Sequence, residues 1–298
     1  MSEDADPRYR ELDLWDDRTA LAAMWEAQLA AVAAIGPALP ALGGAVAALA
    51  ERLAGGGRLA YAGAGTSIRI AVQDGTELGP TFDWPEARTL YLIAGGEAAL
   101  RVAVEGAEDD GAAAAAQVAE AGIGPADAVI GVAASGRTPF TVAALRAARV
   151  AGALTIGIAG VAGAPLLQAA EHPVCLATGA EVVAGSTRMK AGTAQKVALN
   201  LISTQAMVRL GRVHAGLMVD MRPANAKLES RARAMVMQLA GTDAAGAGAA
   251  LAAAGGRVKP AVLIALGLSA EGAQAALAES GGVLRRALSR VPRTASRS

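Results

Sequence analysis

Aromatic residues and cysteine are both scarce in this sequence, and each scarcity limits what the chain can be. Aromatic side chains make up 3% of the 298 residues while hydrophobic residues make up 53%, so a core has to be built mainly from alanine, valine, leucine and isoleucine. A single cysteine, Cys175, excludes an intrachain disulfide and a zinc site built from several cysteines. Because its surroundings, PVCLA, are apolar, Cys175 is predicted to be a buried structural thiol.

The chain also has no excess of charge of either sign. Its 27 basic residues balance 27 acidic ones, which leaves no global field to attract nucleic acid or an anionic membrane. The N-terminal stretch MSEDADPRYRELDLWDD is acidic and lacks the apolar region of a signal peptide. Polar residues interrupt the Ala-rich and Gly-rich runs, so no bilayer-spanning segment is expected. These observations predict a cytoplasmic protein with no nucleic-acid or membrane partner.

Apolar runs that alternate with helical stretches predict an α/β fold, in which a parallel sheet is covered by helices on both faces. Residues 16–54 show helical spacing of their apolar positions, and Pro37 and Pro40 are expected to divide them into two helices. The predicted strands are 58–63, 89–95, 127–134, 153–160 and 173–179, and a long helix is predicted over 187–211. Only helical patterns remain beyond about residue 225.

The prediction therefore divides the chain into three parts. These are an N-terminal helical segment (1–45), a sheet domain (46–224) and a small helical domain with its tail (225–298). The last six residues, RTASRS, are predicted to be frayed.

Hydroxyl-rich turns follow three of the strands, at the edge where open parallel sheets bind ligands. The turns are GAGTSIR (63–69), AASGRTPF (133–140) and GAEVVAGSTRMKAGTAQK (179–196). Backbone N–H groups and hydroxyls at a helix start suit an anion such as phosphate, although ordinary helix capping would need the same residues. Together the turns predict an oxyanion pocket with these candidate residues: Gly65, Thr66, Ser67, Ser135, Gly136, Arg137, Thr138, Ser186, Thr187 and Lys190.

A cluster of carboxylates, VEGAEDD (104–110), follows the second strand. Asp109 and Asp110 are expected to cap or precede a helix over 111–121, because acidic side chains favour the positive end of a helix. Glu105 is either solvated or a supporting partner of Glu108. Glu108 itself is left open between a surface acid and a catalytic one.

In this order the motifs resemble those of the N-acetylmuramic acid 6-phosphate etherases, members of the sugar-isomerase (SIS) phosphosugar-binding superfamily. The resemblance covers about residues 45–290 and is carried by GAGTS, LIAGGE, VEGAED, AASGRTP, EVVAGSTRMKAGTAQK and GLMVDMRPANAKL. It implies an SIS-type fold and a homodimer that needs no metal or other cofactor. It also implies a lyase that converts its phosphosugar substrate to N-acetylglucosamine 6-phosphate and D-lactate during cell-wall recycling.

The resemblance places the family's two catalytic carboxylates on Glu77, in DGTELGPTF, and on Glu108. An elimination of this kind needs a base for the acidic C2 proton of the open-chain sugar and an acid for the departing C3 oxygen, before water adds at C3. Family usage favours Glu77 as the proton donor. Asn225 and Lys227 match a further family motif, and packing between domains is one role open to them.

The chain departs from the family pattern at three places. Ile68 stands where the family turn has glycine, Leu78-Gly79 replaces Cys-Pro, and the N-terminal segment reads RYRELDLWDDRTAL. A branched side chain at Ile68 is expected to narrow or reshape the phosphate pocket.

Two other functions would use the same loops: a non-catalytic sugar-phosphate-binding regulator and an SIS-type sugar-phosphate isomerase. The presence of both glutamates favours the lyase over the regulator, and an isomerase would not need VEGAED.

Overall fold

The computed structural model describes residues 4–223 and 225–291, so the RTASRS tail lies outside the described residues. The strands are β1 (Leu59–Gly63), β2 (Thr89–Ile93), β3 (Ala128–Ala133), β4 (Leu154–Ala159), β5 (His172–Cys175), β6 (Val213–His214) and β7 (Leu217–Met218). The helices are α1 (Asp17–Ala33), α2 (Leu39–Ala54), α3 (Gly65–Thr76), α4 (Leu78–Phe82), α5 (Gly111–Glu120), α6 (Pro139–Val150), α7 (Pro165–Ala169), α8 (Lys190–Arg209), α9 (Ala226–Ala240), α10 (Ala244–Ala253), α11 (Val258–Ala265), α12 (Ala270–Glu279) and α13 (Leu284–Leu288).

The described residues fall into two compact units. The first, called the sheet unit here, contains the chain up to Thr76 together with Glu86–Ala206. The second, the helical unit, contains Glu77–Pro85 and the chain from Met207 onward. The domain limits predicted at residues 45 and 224 stay predictions.

Five parallel strands form the sheet of the first unit, in the order β2-β1-β3-β4-β5. Every residue of β1, β3 and β4 is buried, which is why these strands are continuous apolar runs rather than alternating ones. The predicted α/β fold with a parallel sheet is confirmed.

The last strand of the sheet, β5, is shorter than its apolar run. It ends at Cys175, although the run continues to residue 179. The backbone bends there because the N–H of Thr178 donates to the carbonyl of Leu176, at 2.8 Å, and Gly179 takes a φ of +71°. Cys175 is half-buried rather than buried, and burial raises the pKa of its thiol.

The two N-terminal helices divide as the prolines predict. Pro37 lies in a 3-10 turn, Gly36–Ala38, and Pro40 lies in the first turn of α2, where its missing N–H costs nothing. By length and composition alone, the stretch Asp17–Ala54 is apolar enough to cross a membrane, with 33% of its apolar window buried. Length and composition alone are weak evidence of a membrane span, because a helix in the core of a globular protein passes the same test.

One face of α1 packs on the sheet unit and the other does not. Ala27 and Ala31 are buried, and the Thr193 hydroxyl donates to Oε1 of Gln28 at 2.5 Å. The exposed face carries a row of large apolar side chains, spaced by four, four and three residues: Leu21, Trp25, Leu29 and Val32.

The helical unit has its own apolar core, formed where α9–α13 pack together. It also contains a hairpin of β6 and β7, whose turn residue Ala215 has a φ of +48°. Asn225 is the N-cap of α9 and accepts from the N–H of Leu228 at 3.0 Å, while Lys227 is exposed.

Candidate active site

The three predicted loops lie at the carboxyl edge of the sheet. The loops after β1 and β3 are neighbours because these strands pair in parallel, with Gly63 opposite Val132. The third loop leads into α8, and the first turn of α8 packs on the start of α3. A Cβ added to Gly192 in α8 would lie 3.3 Å from Cδ1 of Ile70 and 3.6 Å from Cγ2 of Thr66. The structure therefore brings the starts of α3 and α8 together beside the loop that leads into α6.

In the first loop, the turn into α3 uses a left-handed glycine. Gly65 has a φ of +53°, Thr66 is half-buried, and Ser67 is buried. Ile68 is wholly buried, and a Cβ on Gly63 would lie 3.3 Å from its Cβ. Ile68 therefore belongs to the packed interior, and its expected effect on the width or shape of the phosphate pocket stays a prediction.

The second loop is bent tightly before α6. Gly136 has a φ of +66°, and Oγ of Ser135 accepts from the N–H of Arg137 at 3.2 Å. Thr138 precedes Pro139 at the helix start, and its side chain makes no capping bond there. Its hydroxyl is therefore not used to cap α6.

The third loop is closed by Glu181, a residue that the candidate set omitted. Glu181 is fully buried, and its carboxylate accepts from the backbone N–H groups of Lys190, at 2.8 Å, and Ala191, at 2.9 Å. The ammonium group of Lys190 donates to the carbonyl of Ala180 at 2.8 Å. These bonds join the two ends of the loop at the start of α8, where the helix macrodipole also favours a carboxylate.

Inside this closed loop, consecutive turns present the hydroxyl residues. The N–H of Ser186 donates to Val183 and that of Thr187 to Gly185, each at 2.9 Å. The carbonyl of Thr187 in turn accepts from the N–H of Gly192 at 2.9 Å. Ser186 and Thr187 are both half-buried, whereas Arg188 is exposed.

A buried polar network joins α3 to α8, and nothing in the sequence pattern pointed to it. Asp74 accepts from the hydroxyl of Tyr61 (2.7 Å), from Nδ2 of Asn200 (2.7 Å) and from Oγ of Ser203 (2.9 Å). Burial and the Asp74 carboxylate raise the pKa of Tyr61 well above its usual value, and burial raises that of Tyr91 to about 12. The network fixes the two helices whose starts meet at the pocket.

Glu108 lies in an exposed 3-10 turn, Ala107–Asp109, of the sheet unit. A Cβ added to Gly95, which follows β2, would lie 2.9 Å from Cβ of Val104, so this turn packs closely on the end of the strand. The next turn places Gly111 beside α6, since a Cβ there would be 3.8 Å from the carbonyl of Pro139. The carboxylate cluster thus approaches α6 directly after the Ser135 loop.

The two acidic residues that follow Glu108 start the next helix. Asp110 is the N-cap of α5 and accepts from the N–H of Ala113 at 2.8 Å, which confirms its predicted capping role. Asp109 ends the 3-10 turn and is exposed, as are Glu105 and Glu108.

Glu77 belongs to the helical unit, where it directly precedes α4. Its side chain is exposed and makes no capping bond. The segment that it opens, Glu77–Pro85, is held by Arg212, whose Nη1 donates to the carbonyls of Phe82 (2.6 Å) and Asp83 (3.1 Å). The two candidate carboxylates therefore come from different compact units.

Comparisons with known proteins decide the family. A protein from Deinococcus radiodurans called N-acetylmuramic acid 6-phosphate etherase is 53% identical to the chain over 263 residues, which are 88% of the chain and 86% of that protein. The chain belongs to the N-acetylmuramic acid 6-phosphate etherase family. A second etherase of that name, from Rubrobacter xylanophilus, is 49% identical over 75% of the chain and 74% of its own length.

Two domain families match parts of this etherase-family chain. The glucokinase regulatory protein N-terminal SIS domain matches residues 42–149, and the SIS domain matches residues 110–204. A phosphoheptose isomerase structure from Francisella tularensis superposes with a TM-score of 0.50 at 20% identity, over 65% of this chain and 98% of that chain. At that identity the likeness supports the SIS fold alone.

Proposed function

We propose that the chain cleaves the D-lactyl ether of N-acetylmuramic acid 6-phosphate, giving N-acetylglucosamine 6-phosphate and D-lactate. Membership of the etherase family carries this proposal. The gathering of three hydroxyl-rich loops at one edge of the sheet supports it, because that arrangement suits a phosphosugar.

The proposed phosphate site is formed by the loops of the sheet unit. Its donors are backbone N–H groups and hydroxyls at the starts of α3, α6 and α8, where the helix macrodipoles favour an anion. Lys190 adds a positive charge at the start of α8, and its ammonium group has further protons beside the one given to Ala180. The residues proposed to bind the phosphosugar are Gly65, Thr66, Ser67, Ser135, Gly136, Arg137, Thr138, Ser186, Thr187 and Lys190.

We assign the acid–base chemistry to Glu77 and Glu108. With the sugar open to its aldehyde, the carboxylate of Glu108 takes the C2 proton, the C2 electrons form a double bond to C3, and the C3–O bond breaks. Glu77 protonates the departing lactyl oxygen. Water then adds at C3 while C2 regains a proton, so the product is N-acetylglucosamine 6-phosphate and no group is oxidised or reduced.

Lactate release from N-acetylmuramic acid 6-phosphate tests the function directly. We expect Glu77→Gln and Glu108→Gln each to slow turnover by about 100- to 10,000-fold while phosphosugar binding persists, because a positioned acid or base contributes that much. Glu86→Gln is the matched control, since Glu86 is an exposed acid near Glu77 in the sequence. Near-normal turnover in both candidate variants would remove the assignment, and binding without lactate in the wild type would favour a regulator.

Isotopes test the reaction path. Turnover in deuterated water is expected to place deuterium at C2 of the amino sugar, and oxygen-18 water is expected to label its C3 hydroxyl. Oxygen-18 in the lactate hydroxyl would mean cleavage on the lactyl side and would contradict the roles given to the glutamates.

A homodimer is the oligomeric state that we propose, with the exposed apolar face of α1 in the interface. That face presents Leu21, Trp25 and Leu29 at one-turn spacing on the side away from Ala27 and Ala31, where a second copy would cover them. Trp25→Glu is expected to give a monomer in sedimentation at micromolar concentration. Val150→Glu is the control, because Val150 is an exposed apolar side chain outside this face. A dimer that survives Trp25→Glu would place the interface elsewhere.

We also propose that the reaction takes place in the cytoplasm, as part of cell-wall recycling. The substrate is a phosphate ester, and its charge opposes passage through a bilayer. Fractionation of cells with an activity assay tests this location.

A further inference from the structure

The helical unit contains a cavity of about 1010 Å³ that the proposed reaction does not use. Its wall is formed by Asp83, by several residues between Leu210 and Pro223, by parts of α9, α10 and α11, and by Leu277, Gly281 and Gly282. All of them belong to the helical unit. Five glycines and two alanines line this space, and charged residues surround it. The charged residues are Asp83, Arg212, Asp220, Arg222, Glu229, Arg233, Arg257 and Lys259.

Positive charge predominates in this wall: five bases face three acids. The aspartates are already paired, since Asp83 forms an ion pair with Arg222, and Asp220 forms one with Lys259. Lys259 is itself buried, and its ammonium group also donates to the carbonyl of Gly282 at 2.7 Å. The cavity thus keeps an excess of two positive charges, which is the charge that balances a phosphate dianion.

Two arginines at the cavity are available to bind a ligand. Among the residues that the structure describes, neither Arg233 nor Arg257 forms an ion pair, and both are exposed enough to rotate toward a ligand. Arg257 also precedes α11, whose start has no side-chain cap, so Val258 and Lys259 bring helix-terminal N–H groups to the same wall. Guanidinium groups and a helix start are both suited to phosphate oxygens.

The same cavity wall holds the segment that begins with Glu77. Arg212 bonds to the carbonyls of Phe82 and Asp83, and its guanidinium carbon lies 5.3 Å from the centre of the Trp84 ring. Arg222 pairs with the carboxylate of Asp83. A phosphate that approaches these two arginines competes with Asp83 and with the two carbonyls, and therefore changes how Glu77–Pro85 is held.

We propose that this cavity binds a phosphorylated small molecule and that its occupancy regulates turnover by shifting the segment Glu77–Pro85. The binding part stands on the cavity itself, whereas the regulatory part rests on the proposed role of Glu77. The ligand is either free phosphate or a sugar phosphate such as the reaction product, because both present the same dianion.

Calorimetry on the full chain tests the binding part, with inorganic phosphate and N-acetylglucosamine 6-phosphate as probes. A Ser135→Ala and Ser186→Ala background weakens the proposed substrate site, so the remaining heat reports the cavity. Adding Arg233→Gln and Arg257→Gln is expected to raise the Kd of this remaining binding about tenfold or more, because two charge-assisted contacts are lost. Arg231→Gln with Arg286→Gln is the control, since both residues belong to helices of the same unit but do not line the cavity.

The two probes separate the sources of the ligand. Tighter binding of the sugar phosphate identifies a feedback ligand, and equal or tighter binding of inorganic phosphate identifies the free ion. Absence of any binding in the serine background, or binding that the Arg233 and Arg257 changes leave unaltered, overturns the proposal.

Fluorescence of Trp84 tests the regulatory part without relying on activity. The probe is expected to change the emission of the serine-background protein, and Trp84→Phe is expected to abolish that change. In the chain with its serines intact, phosphate should alter kcat of lactate release, and Arg233→Gln with Arg257→Gln should remove that effect. If lactate is never released but the Trp84 emission changes on ligand addition, the proposed function fails and the cavity site stands. If the ligand binds but changes neither the Trp84 emission nor kcat, the regulatory part is overturned.

Discussion

Replacing Glu181 by glutamine should loosen the loop that presents Ser186 and Thr187. The carboxylate of Glu181 accepts two backbone N–H groups, from Lys190 and Ala191, and is fully buried. Glutamine keeps one acceptor oxygen but turns an NH₂ group toward the other N–H, so one bond is lost and the other loses its charge. The isosteric shape leaves the packing unchanged.

The magnitude follows from those two bonds. A hydrogen bond to a charged group contributes about 1.5–3 kcal/mol, and a neutral one about 1 kcal/mol. Losing one charged bond and weakening the other costs about 3–4 kcal/mol, and relief of the buried charge returns part of it. We expect the free energy of local opening to fall by about 2–3 kcal/mol, which corresponds to about 30- to 150-fold faster amide exchange at Ala191.

Hydrogen exchange and kinetics together check this expectation. Exchange should rise at Lys190 and Ala191 but not in β1. The KM for the phosphosugar should rise about threefold or more while kcat changes less, because the loop is proposed to bind the phosphate and is given no part in proton transfer. Glu120→Gln is the control, since Glu120 is exposed at the end of α5. Unchanged exchange at Ala191 would refute the clamp, and faster exchange with an unchanged KM would refute its link to binding.

Three further predictions concern buried or constrained groups of the sheet unit. Burial pushes the pKa of Asp127 upward, but hydrogen bonds from Arg58 and from the Gly124 backbone outweigh burial and hold the pKa below 3.8. The stability from ionised Asp127 is therefore present above pH 3.8 and is lost as the pH falls through the lower folded pKa. Asp127→Asn should cost about 3 kcal/mol in urea unfolding at pH 7 and progressively less below pH 4; a cost independent of pH would contradict this. Gly136→Ala should lower the free energy of unfolding by about 2–4 kcal/mol and raise the KM, because a Cβ at φ +66° would lie 2.6 Å from Cβ of Ala164. The control Gly122→Ala, at φ +57° with open space around it, should lower the free energy of unfolding by only about 1 kcal/mol. Asp74→Ala leaves three donors unpaired and should destabilise the protein by about 3 kcal/mol in thermal unfolding, which is more than Tyr61→Phe should cost. Equal costs of the two changes would mean that the network does not centre on Asp74.

The sequence is sufficient to predict the central strands of the sheet, because β1, β3 and β4 are buried on both faces. A continuous apolar run such as Ala128–Ala133 has no solvent-facing position, so composition alone identifies it. The hairpin of β6 and β7 cannot be predicted in this way, because strands of two residues each are too short to show a hydrophobic pattern. The early end of β5 cannot be predicted from hydrophobicity either, because the bend after Cys175 depends on the backbone φ of Gly179.

The parts of the site that the sequence does not reveal are those held by distant backbone atoms. Glu181 lies inside a recognised motif, but its partners are N–H groups of residues 190 and 191, which every sequence would supply. Likewise, Glu77–Pro85 follows α3 in the chain, yet Arg212 holds it from about 130 residues away. Motif spacing predicts which residues belong to the site, whereas the compact unit that contains each residue depends on long-range bonds that no motif shows.

Glycine in the middle of the sheet also helps to position the candidate site, because it lets α6 pack close to the strands. Gly131 and Gly157 lie opposite each other in β3 and β4. A Cβ on Gly131 would lie 2.5 Å from Cδ1 of Leu145 in α6, and one on Gly157 would lie 2.9 Å from Cβ of Ala170. Helix α6 can approach the sheet this closely only because Gly131 has no side chain, and Gly157 gives similar room to α7 and the residue that follows it. The positions of Ser135 and Thr138 at the carboxyl edge therefore depend on a glycine in the middle of the sheet, which no motif would single out as functional.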